Sequence, residues 1–333
     1  MRIAAFPKGD LHEMVVRRTK PVFEWIEEAR TLGVDGLELH TGFLWDSGGA
    51  YLDRVGEAIT DAGFAMPMMC ASPDFTHPDR DERAREVERH ASHMRATARL
   101  GGPGAVCRVL SGQAHPEVAL EQGLDWAAEA ITSLLPLAAE LGIRLAIENH
   151  YKATGWAYVE FAQAPDVFRA LLARIPDREH FGVQFDPSNA LVAGADPPDF
   201  LRSVVDRVIT MQASDRYREP APPGLAGSGP RSAATRPDGA GRPGASASEA
   251  SAASSAPADY ASLKHGVIGQ GLNDYDKIFS ILVDAGYDGW ISIEDGVNGL
   301  DELAASAAFL REARDRWFGG STEVRVRALE AYR

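Results

Sequence analysis

The segment Arg144-Leu-Ala-Ile-Glu-Asn-His150 decides the fold, because it joins a short apolar run to a carboxylate, an amide and an imidazole. It follows a helical pattern over Asp125–Leu141 and a glycine break, so it predicts a buried parallel strand that ends in polar groups. Side chains alternate along a strand, and we therefore expect Glu148 and His150 on one side and Asn149 on the other. An α/β barrel carries its functional residues at this end of its strands.

Strand-like runs alternate with helical patterns along the chain, which is typical of repeated βα units and a parallel sheet. We count eight units and predict an α/β fold of the (β/α)8 TIM-barrel type; a doubly wound open sheet is the alternative. The predicted strands are Ile3–Phe6, Gly36–His40, Ala65–Ala71, Ala105–Leu110, Arg144–Glu148, Gly182–Phe185, Val208–Gln212 and Trp290–Glu294. Several predicted helices are followed by a glycine in the C-cap position, namely Gly33, Gly63, Gly142 and Gly286.

The length of 333 residues and a hydrophobic fraction of 45% favour a single barrel domain, which we predict over residues 1–318. Residues 219–258 interrupt it, since 32 of these 40 residues are Ala, Ser, Pro or Gly. Such a composition cannot offset the entropy cost of ordering, so we predict a flexible insertion. We interpret residues 319–333 as a C-terminal tail.

Charge and composition exclude several kinds of partner. The net charge of −14 disfavours nucleic acid, whose binding requires Lys and Arg to neutralise phosphates. No apolar run approaches the roughly 20 residues that span a bilayer, and the N-terminus lacks the pattern of a secretory signal. Cys70 and Cys107 each fall in a predicted strand, which favours a reduced, cytoplasmic setting over a disulfide framework.

Oxygen-bearing side chains end four consecutive barrel strands. They are Glu148, Asp186, Gln212 and Glu294. Any one of them could cap a helix or pair with an arginine, but their shared position suggests that they converge on one divalent cation. A shell of oxygen atoms favours a hard ion, Mn²⁺ or Mg²⁺, over zinc.

Such a metal in a sugar-sized cleft would polarise a carbonyl while a base removes the neighbouring proton. His150 is the free candidate for this base, although it could equally be a hydrogen-bonded structural residue. Glu148 and Glu294 are the other catalytic candidates. Further residues at strand ends are expected to contact a substrate: His40, Trp45, Arg108, Asn149 and His265.

Four motifs stand in order at the ends of the last strands: Ala146-Ile-Glu-Asn149, Gln184-Phe-Asp-Pro-Ser-Asn189, Met211-Gln-Ala-Ser-Asp215 and Ile291-Ser-Ile-Glu-Asp295. They resemble those of the sugar phosphate isomerase/epimerase family, xylose-isomerase-like barrels related to tagatose 3-epimerase. The resemblance implies that Glu148, Asp186 and Glu294 bind the metal. Gln212 departs from it, because the family has a histidine there and an amide is a weaker, neutral ligand. The resemblance also implies that Asn189 and either Arg216 or Arg218 contact the substrate.

Four further segments carry a narrower resemblance: Phe6-Pro-Lys-Gly-Asp10, Cys70-Ala-Ser-Pro-Asp-Phe-Thr-His-Pro78, Cys107-Arg-Val-Leu-Ser-Gly-Gln113 and the stretch Leu263–Tyr275. They look like the larger subunits of bacterial C-glycoside deglycosylases. This narrower resemblance implies cleavage of the bond between a 3-oxo sugar and an aromatic carbon. It also implies a small β-rich partner subunit, and we expect an oligomer.

Two other hypotheses stay open. The chain could be an isomerase or 3-epimerase of free keto sugars, or a sugar-binding barrel without turnover, which the departure at Gln212 would permit. A metal-dependent endonuclease is disfavoured, because it would need a cluster of histidines and a basic face.

Overall fold

The barrel strands run parallel and close on themselves in a computed structural model that describes residues 1–218 and 263–319. The barrel strands are β1 (Arg2–Ala5), β2 (Gly36–His40), β3 (Ala65–Cys70), β4 (Val106–Val109), β5 (Arg144–Glu148), β6 (Phe181–Phe185), β7 (Val208–Ala213) and β10 (Trp290–Ile293). Their order around the barrel is β1-β10-β7-β6-β5-β4-β3-β2, so β1 pairs with both β2 and β10. The TIM barrel is confirmed, and closure excludes the open sheet.

Helices surround the barrel and connect successive strands. They are α1 (Val22–Ala29), α2 (Gly49–Asp61), α3 (Arg80–Gly101), α4 (Leu120–Leu141), α5 (Pro165–Arg174), α6 (Pro187–Val192), α7 (Pro197–Val204), α8 (Tyr275–Asp284) and α9 (Leu300–Ala313). Local chemistry sets several of their ends. Aspartates cap the N-termini of α3, α6, α7 and α8 through their carboxylates. The predicted C-terminal glycines all have positive φ, as at Gly142 with φ 65° after α4.

The interior of the barrel changes from apolar to polar along the strands. Met68, Val106 and Ala146 form a small apolar cluster of their own. Two residues further along the same strands lie Cys70, Arg108 and Glu148, which the alternation of side chains places one layer nearer the C-terminal ends. The apolar cluster therefore forms a floor, and the polar layer above it opens toward the barrel mouth.

Several features of the βα loops were not predicted. Short helical turns follow β1 at Lys8–Asp10 and His12–Arg17, and another follows β2 at Thr41–Phe43. After β7 the chain forms β8 (Arg216–Arg218), which pairs antiparallel with β9 (Leu263–His265). The predicted insertion at 219–258 lies outside the described residues, and so does the predicted tail apart from Gly319. No helix in the described ranges is long and apolar enough to cross a membrane.

Candidate metal centre at the barrel mouth

Three carboxylates meet at the mouth of the barrel. Glu148 ends β5, Asp186 follows β6, and Glu294 follows β10; one oxygen from each lies within 4.8 Å of the others. Glu148 and Asp186 are buried, and the side chain of Glu294 is 14% exposed. Like charges at this separation repel strongly inside a protein, and a cation bound among them would offset that repulsion. These three predicted metal ligands are thus brought together.

The electrostatics of the cluster agree with a cation site. Burial, and then the charge of Glu294, raise the pKa of Asp186 to about 8. Burial also raises the pKa of Glu148 to about 7, although Arg108 opposes the shift. For Glu294, burial is outweighed by Lys8 and Arg108, which hold the pKa of its carboxyl below the usual range. A divalent ion would offset the cost of keeping these groups ionised, and their oxygens suit a hard ion.

Gln212 lies in β7 beside this cluster. On one side, the register pairs Phe185 of β6 with Met211, so the next residue, Asp186, lies beside Gln212. On the other side, Gln212 pairs with Ser292 of β10, two residues before Glu294. The amide nitrogen of Gln212 donates a hydrogen bond to Oε1 of Glu38. Its buried carbonyl oxygen accepts no hydrogen bond from any described residue. That oxygen keeps the lone pairs that a hard cation takes, and its role as a ligand stays a prediction.

Glu148 is held by Arg108 and Asn189. The Arg108 guanidinium donates to Oε2 at 2.5 Å, and the side-chain amide of Asn189 donates to Oε1 at 2.8 Å. Two further N–H groups of Arg108 donate to the carbonyl oxygen of Ala71 and to the hydroxyl of Ser72. Both predicted substrate contacts, Arg108 and Asn189, are therefore engaged in positioning Glu148 in this structure.

Asp186 is fixed through one of its two oxygens. Its Oδ1 accepts the backbone N–H of Asn189 at 2.9 Å, as the cap of α6, and the hydroxyl of Ser214 at 2.8 Å. These bonds leave Oδ2 for a ligand. Asn149 clamps the backbone at the same place, since its amide donates to the Asp186 carbonyl and accepts from the Asp186 N–H. The structure thus gives Asn149 a positioning contact, where the sequence predicted a substrate contact.

His150 lies in the loop after β5, because the strand ends at Glu148. The alternation of a strand therefore does not set its direction, contrary to the sequence argument. Nδ1 lies 3.7 Å from Oε2 of the buried Glu160, and the ring packs against Tyr151 and Trp156. Burial lowers the pKa of His150, although Glu160 opposes the shift. Neither ring nitrogen takes part in a hydrogen bond within the described chain, so the imidazole keeps a nitrogen that can accept a proton.

The predicted contacts from β2 and its loop are tied to neighbouring backbone. Nδ1 of His40 accepts the N–H of Gly42 at 2.9 Å, and burial lowers its pKa to about 3, so this ring is neutral. The indole of Trp45 donates to the carbonyl of Met14 at 2.8 Å. Trp45 therefore fastens the loop after β1 to the loop after β2.

The contacts predicted near β8 and β9 have different environments. Arg216 is buried, with its guanidinium 5.7 Å from the centre of the Tyr151 ring, whereas Arg218 is exposed. Nδ1 of His265 lies 2.7 Å from Oδ1 of Asp295. Burial lowers the pKa of His265, so its ring is neutral and is held in place by Asp295. Of the two arginines, only Arg216 is enclosed near the mouth.

Two charged residues at the site were missed by the sequence reasoning. Lys8 lies 3.1 Å from Oε2 of Glu294, and Glu38 is fully buried in β2 inside the barrel. Burial raises the pKa of Glu38 to about 8. Lys8 belongs to the Phe6-Pro-Lys-Gly-Asp10 motif, which supported a family resemblance without assigning Lys8 a role. Glu38 is an ionisable residue in the middle of an apolar strand. An ionisable residue within an apolar strand is the sequence feature that could have identified Glu38 as part of the site.

Comparison with known proteins gives a family and a set of structural neighbours. The family described as "Xylose isomerase-like TIM barrel" matches residues 26–313. L-ribulose 3-epimerase superposes with a TM-score of 0.67 at 14% identity, covering 100% of this chain and 98% of that chain. The E. coli 3-keto-D-glucoside 4-epimerase in its apo form gives 0.61 at 15% identity, covering 94% and 99%.

A third neighbour, the IOLI protein with a zinc atom, gives a TM-score of 0.61 at 14% identity, covering 98% of this chain and 99% of that chain. At these identities the likeness concerns the fold. No curated protein sequence matches the chain significantly.

Proposed function

The chain belongs to the xylose isomerase-like TIM barrel family, and on that premise we propose that it is a divalent-metal-dependent enzyme acting on a keto sugar. The reaction begins with removal of the proton next to the keto group. The observation that carries this proposal is the convergence of Glu148, Asp186 and Glu294 at the barrel mouth. Two neighbours of the same fold are named as sugar epimerases, and one is named as binding zinc.

The chain's residues fit a metal of the Mn²⁺ or Mg²⁺ kind. Glu148, Asp186 and Glu294 would hold it, with the unpartnered oxygen of Gln212 as the fourth ligand. When bound, the ion supplies a positive charge that stabilises the enediolate left by proton removal. Arg108 and Asn189 keep Glu148 in place, and Asn149 does the same for Asp186, so the ligands need little rearrangement.

His150 is the proposed base. Its Nε2 is without a hydrogen bond in the described chain, while Glu160 stands 3.7 Å from Nδ1 on the opposite side of the ring. A carboxylate there stabilises the imidazolium that forms when Nε2 takes a proton. Glu148 and Glu294 are the alternatives, but each is already engaged with a cationic side chain.

The proposed contacts of the sugar include Trp45, His40, Arg216 and His265. The exposed Arg218 is the alternative to Arg216.

The narrower proposal is cleavage of the C–C bond of 3-oxo-C-glycosides, with a small β-rich partner subunit. Removing the proton next to the keto group leaves its electron pair to form a carbon–carbon double bond. The bond from the neighbouring carbon to the aromatic ring then breaks, and the aromatic carbon takes up a proton. On a free sugar with its keto group at C2, returning the proton to the opposite face of C3 gives a 3-epimerase instead, and that alternative is favoured by the epimerases among the neighbours.

Solvent deuterium exchange tests the proposal. The Mn²⁺-loaded wild type is expected to exchange the proton next to the keto group of a 3-oxo-glucoside, and His150→Ala to slow that exchange at least 100-fold, since general-base catalysis contributes about 10²–10⁴-fold. His180→Ala is the matched control, because His180 lies outside the mouth before β6. Undiminished exchange in His150→Ala would mean that His150 is not the base and that Glu148 or Glu294 removes the proton. A wild type that neither exchanges nor cleaves would leave a sugar-binding barrel without turnover.

We also propose that the protein works in the cytoplasm. Cys70 and Cys107 are both free and buried, which suits a reducing compartment such as the cytoplasm. Gel filtration with light scattering would measure the oligomeric state and would reveal a small subunit that copurifies with the chain.

A further inference from the structure

Only one end of the Gln212 side-chain amide forms hydrogen bonds with described residues. Its Nε2 donates to Oε1 of Glu38 and also lies 3.6 Å from the sulfur of Cys70. Its Oε1 is buried without a partner among the described residues. A buried acceptor left unpaired costs about 1–3 kcal/mol, so something outside the chain is expected to meet this oxygen.

Glu38 determines which end of the amide faces it. Glu38 Oε1 accepts two hydrogen bonds, from the Cys70 thiol at 2.8 Å and from the Gln212 nitrogen. If the amide were turned over, its carbonyl oxygen would face an oxygen already committed as an acceptor, and two acceptors repel.

The two strands next to Gln212 in the barrel lead to two of the three carboxylates. Asp186 follows Phe185, whose register partner is Met211, and this puts Asp186 beside Gln212. Glu294 comes two residues after Ser292, the register partner of Gln212 on the other side. Two of the three carboxylates thus come from the two strands that flank Gln212, while Glu38 reaches it from β2.

We infer that Glu38 is a positioning residue that turns the carbonyl oxygen of Gln212 toward the metal. The inference rests on the proposed function, which places a divalent cation among the carboxylates. It accounts for the amide at a position where the family resemblance expects a histidine. Held in this way, Gln212 supplies a neutral oxygen instead of a ring nitrogen, so all four ligand atoms are oxygens and the site selects Mn²⁺ or Mg²⁺ over Zn²⁺.

Manganese binding to the full-length chain, followed by the electron paramagnetic resonance of free Mn²⁺, tests the inference. Glu38→Met is expected to weaken Mn²⁺ binding about 10- to 100-fold, the usual effect of losing a residue that orients a ligand. Glu38→Gln still offers an oxygen to Gln212 and should stay within about threefold of wild type, because one accepting oxygen is enough to orient the amide. Thr210→Val, two residues before Gln212 on β7, is the matched control and should leave affinity unchanged.

A double variant and a spectrum separate orientation from general destabilisation. Glu38→Met combined with Gln212→Met should bind no more weakly than Gln212→Met alone, because both changes remove the same ligand. Pulsed measurements on bound Mn²⁺ should show no directly coordinated nitrogen in wild type and one in Gln212→His. Coordinated nitrogen in wild type, or wild-type affinity in Glu38→Met, would overturn the inference.

The same titration distinguishes this inference from the proposed function. If Asp186→Asn abolishes Mn²⁺ binding while Gln212→Met retains it, the carboxylate site stands and only the role of Glu38 and Gln212 fails. If the wild-type chain binds no Mn²⁺ at all, both fail together. Thermal melts of each variant identify any that do not fold. If Glu38→Met is one of them, the spectrum of Mn²⁺ bound to the wild type decides the case, because coordinated nitrogen there overturns the inference.

Discussion

Each carboxylate at the barrel mouth has a different kind of partner. Glu148 is held by the buried Arg108, and Asp186 by the hydroxyl of Ser214. Glu294 is paired with Lys8, whose side chain is 20% exposed and extends from a short turn after β1. A flexible ammonium is more easily displaced than a guanidinium fixed by three hydrogen bonds. Lys8 is therefore the cation that a divalent ion would compete with.

Replacing Lys8 by Met is expected to tighten Mn²⁺ binding. The substitution removes a competing positive charge beside Glu294, and a partly exposed ion pair of about 1 kcal/mol corresponds to about a fivefold gain in affinity. Titration calorimetry with Mn²⁺ measures the change. Lys20→Met is the control, because Lys20 pairs with Asp10 and Glu28. Weaker binding by Lys8→Met would mean that Lys8 holds Glu294 in its binding position.

At the scale of the elements, α3 packs an uncharged histidine against the barrel. His90 is buried, with Nε2 3.7 Å from the sulfur of Cys107 in β4 and its ring edge-on to Phe75. Burial lowers its pKa to about 3. The unfolded chain binds a proton there below about pH 6.5, while the folded chain does not. This group therefore stabilises the fold fully above pH 6.5 and progressively less as the pH falls.

His90→Leu should make the protein less sensitive to acid. Between pH 7.5 and 5.5, protonation of His90 in the unfolded state costs wild type about 1.4 kcal/mol of stability, and the variant is spared that loss. Urea unfolding at the two pH values measures the difference. His12→Leu replaces an exposed histidine and should follow wild type. Equal losses in wild type and His90→Leu would show that His90 does not contribute to acid sensitivity.

The sequence predicted the strands well because their signal is local. Each barrel strand is a short apolar run between turn residues, and the observed bounds differ from the predicted ones by at most one residue at each end. The pairing of Gln212 with Glu38 and of Lys8 with Glu294 could not be predicted, since both join distant parts of the chain. The stagger of the strands determines which of these side chains meet, and local periodicity does not report it.

The antiparallel pair β8 and β9 was missed for a related reason. Its strands are only three residues long and lie on either side of the predicted insertion. Asp215 holds together the two described ends of the segment between β7 and α8, because its carboxylate accepts backbone N–H groups from Arg216, Gly269, Gly271 and Asn273. A single aspartate in the sequence gives no indication that it binds backbone groups so far along the chain.

On the scale of the whole molecule, the carboxylate cluster joins strands that are far apart in the chain. Glu148, Asp186 and Glu294 come from β5, β6 and β10, and their mutual repulsion opposes closure of the barrel at its mouth. A bound cation would convert that repulsion into attraction in the folded state alone. Binding to the native state adds its free energy to the stability of the entire fold.

Mn²⁺ is therefore expected to raise the melting temperature of the chelator-treated protein. At a free concentration 100 times the dissociation constant, the added stability is about 2.7 kcal/mol, or about 5 to 10 °C for a domain of this size. Calorimetric melts with chelator and with increasing Mn²⁺ measure the shift. Asp186→Asn should melt at a temperature that Mn²⁺ does not change, whereas Asp199→Asn, at an exposed position on α7, should respond as wild type does. An equal rise in the melting temperature of Asp186→Asn would mean that the ion stabilises the protein from another site and that the carboxylate cluster is not the metal site.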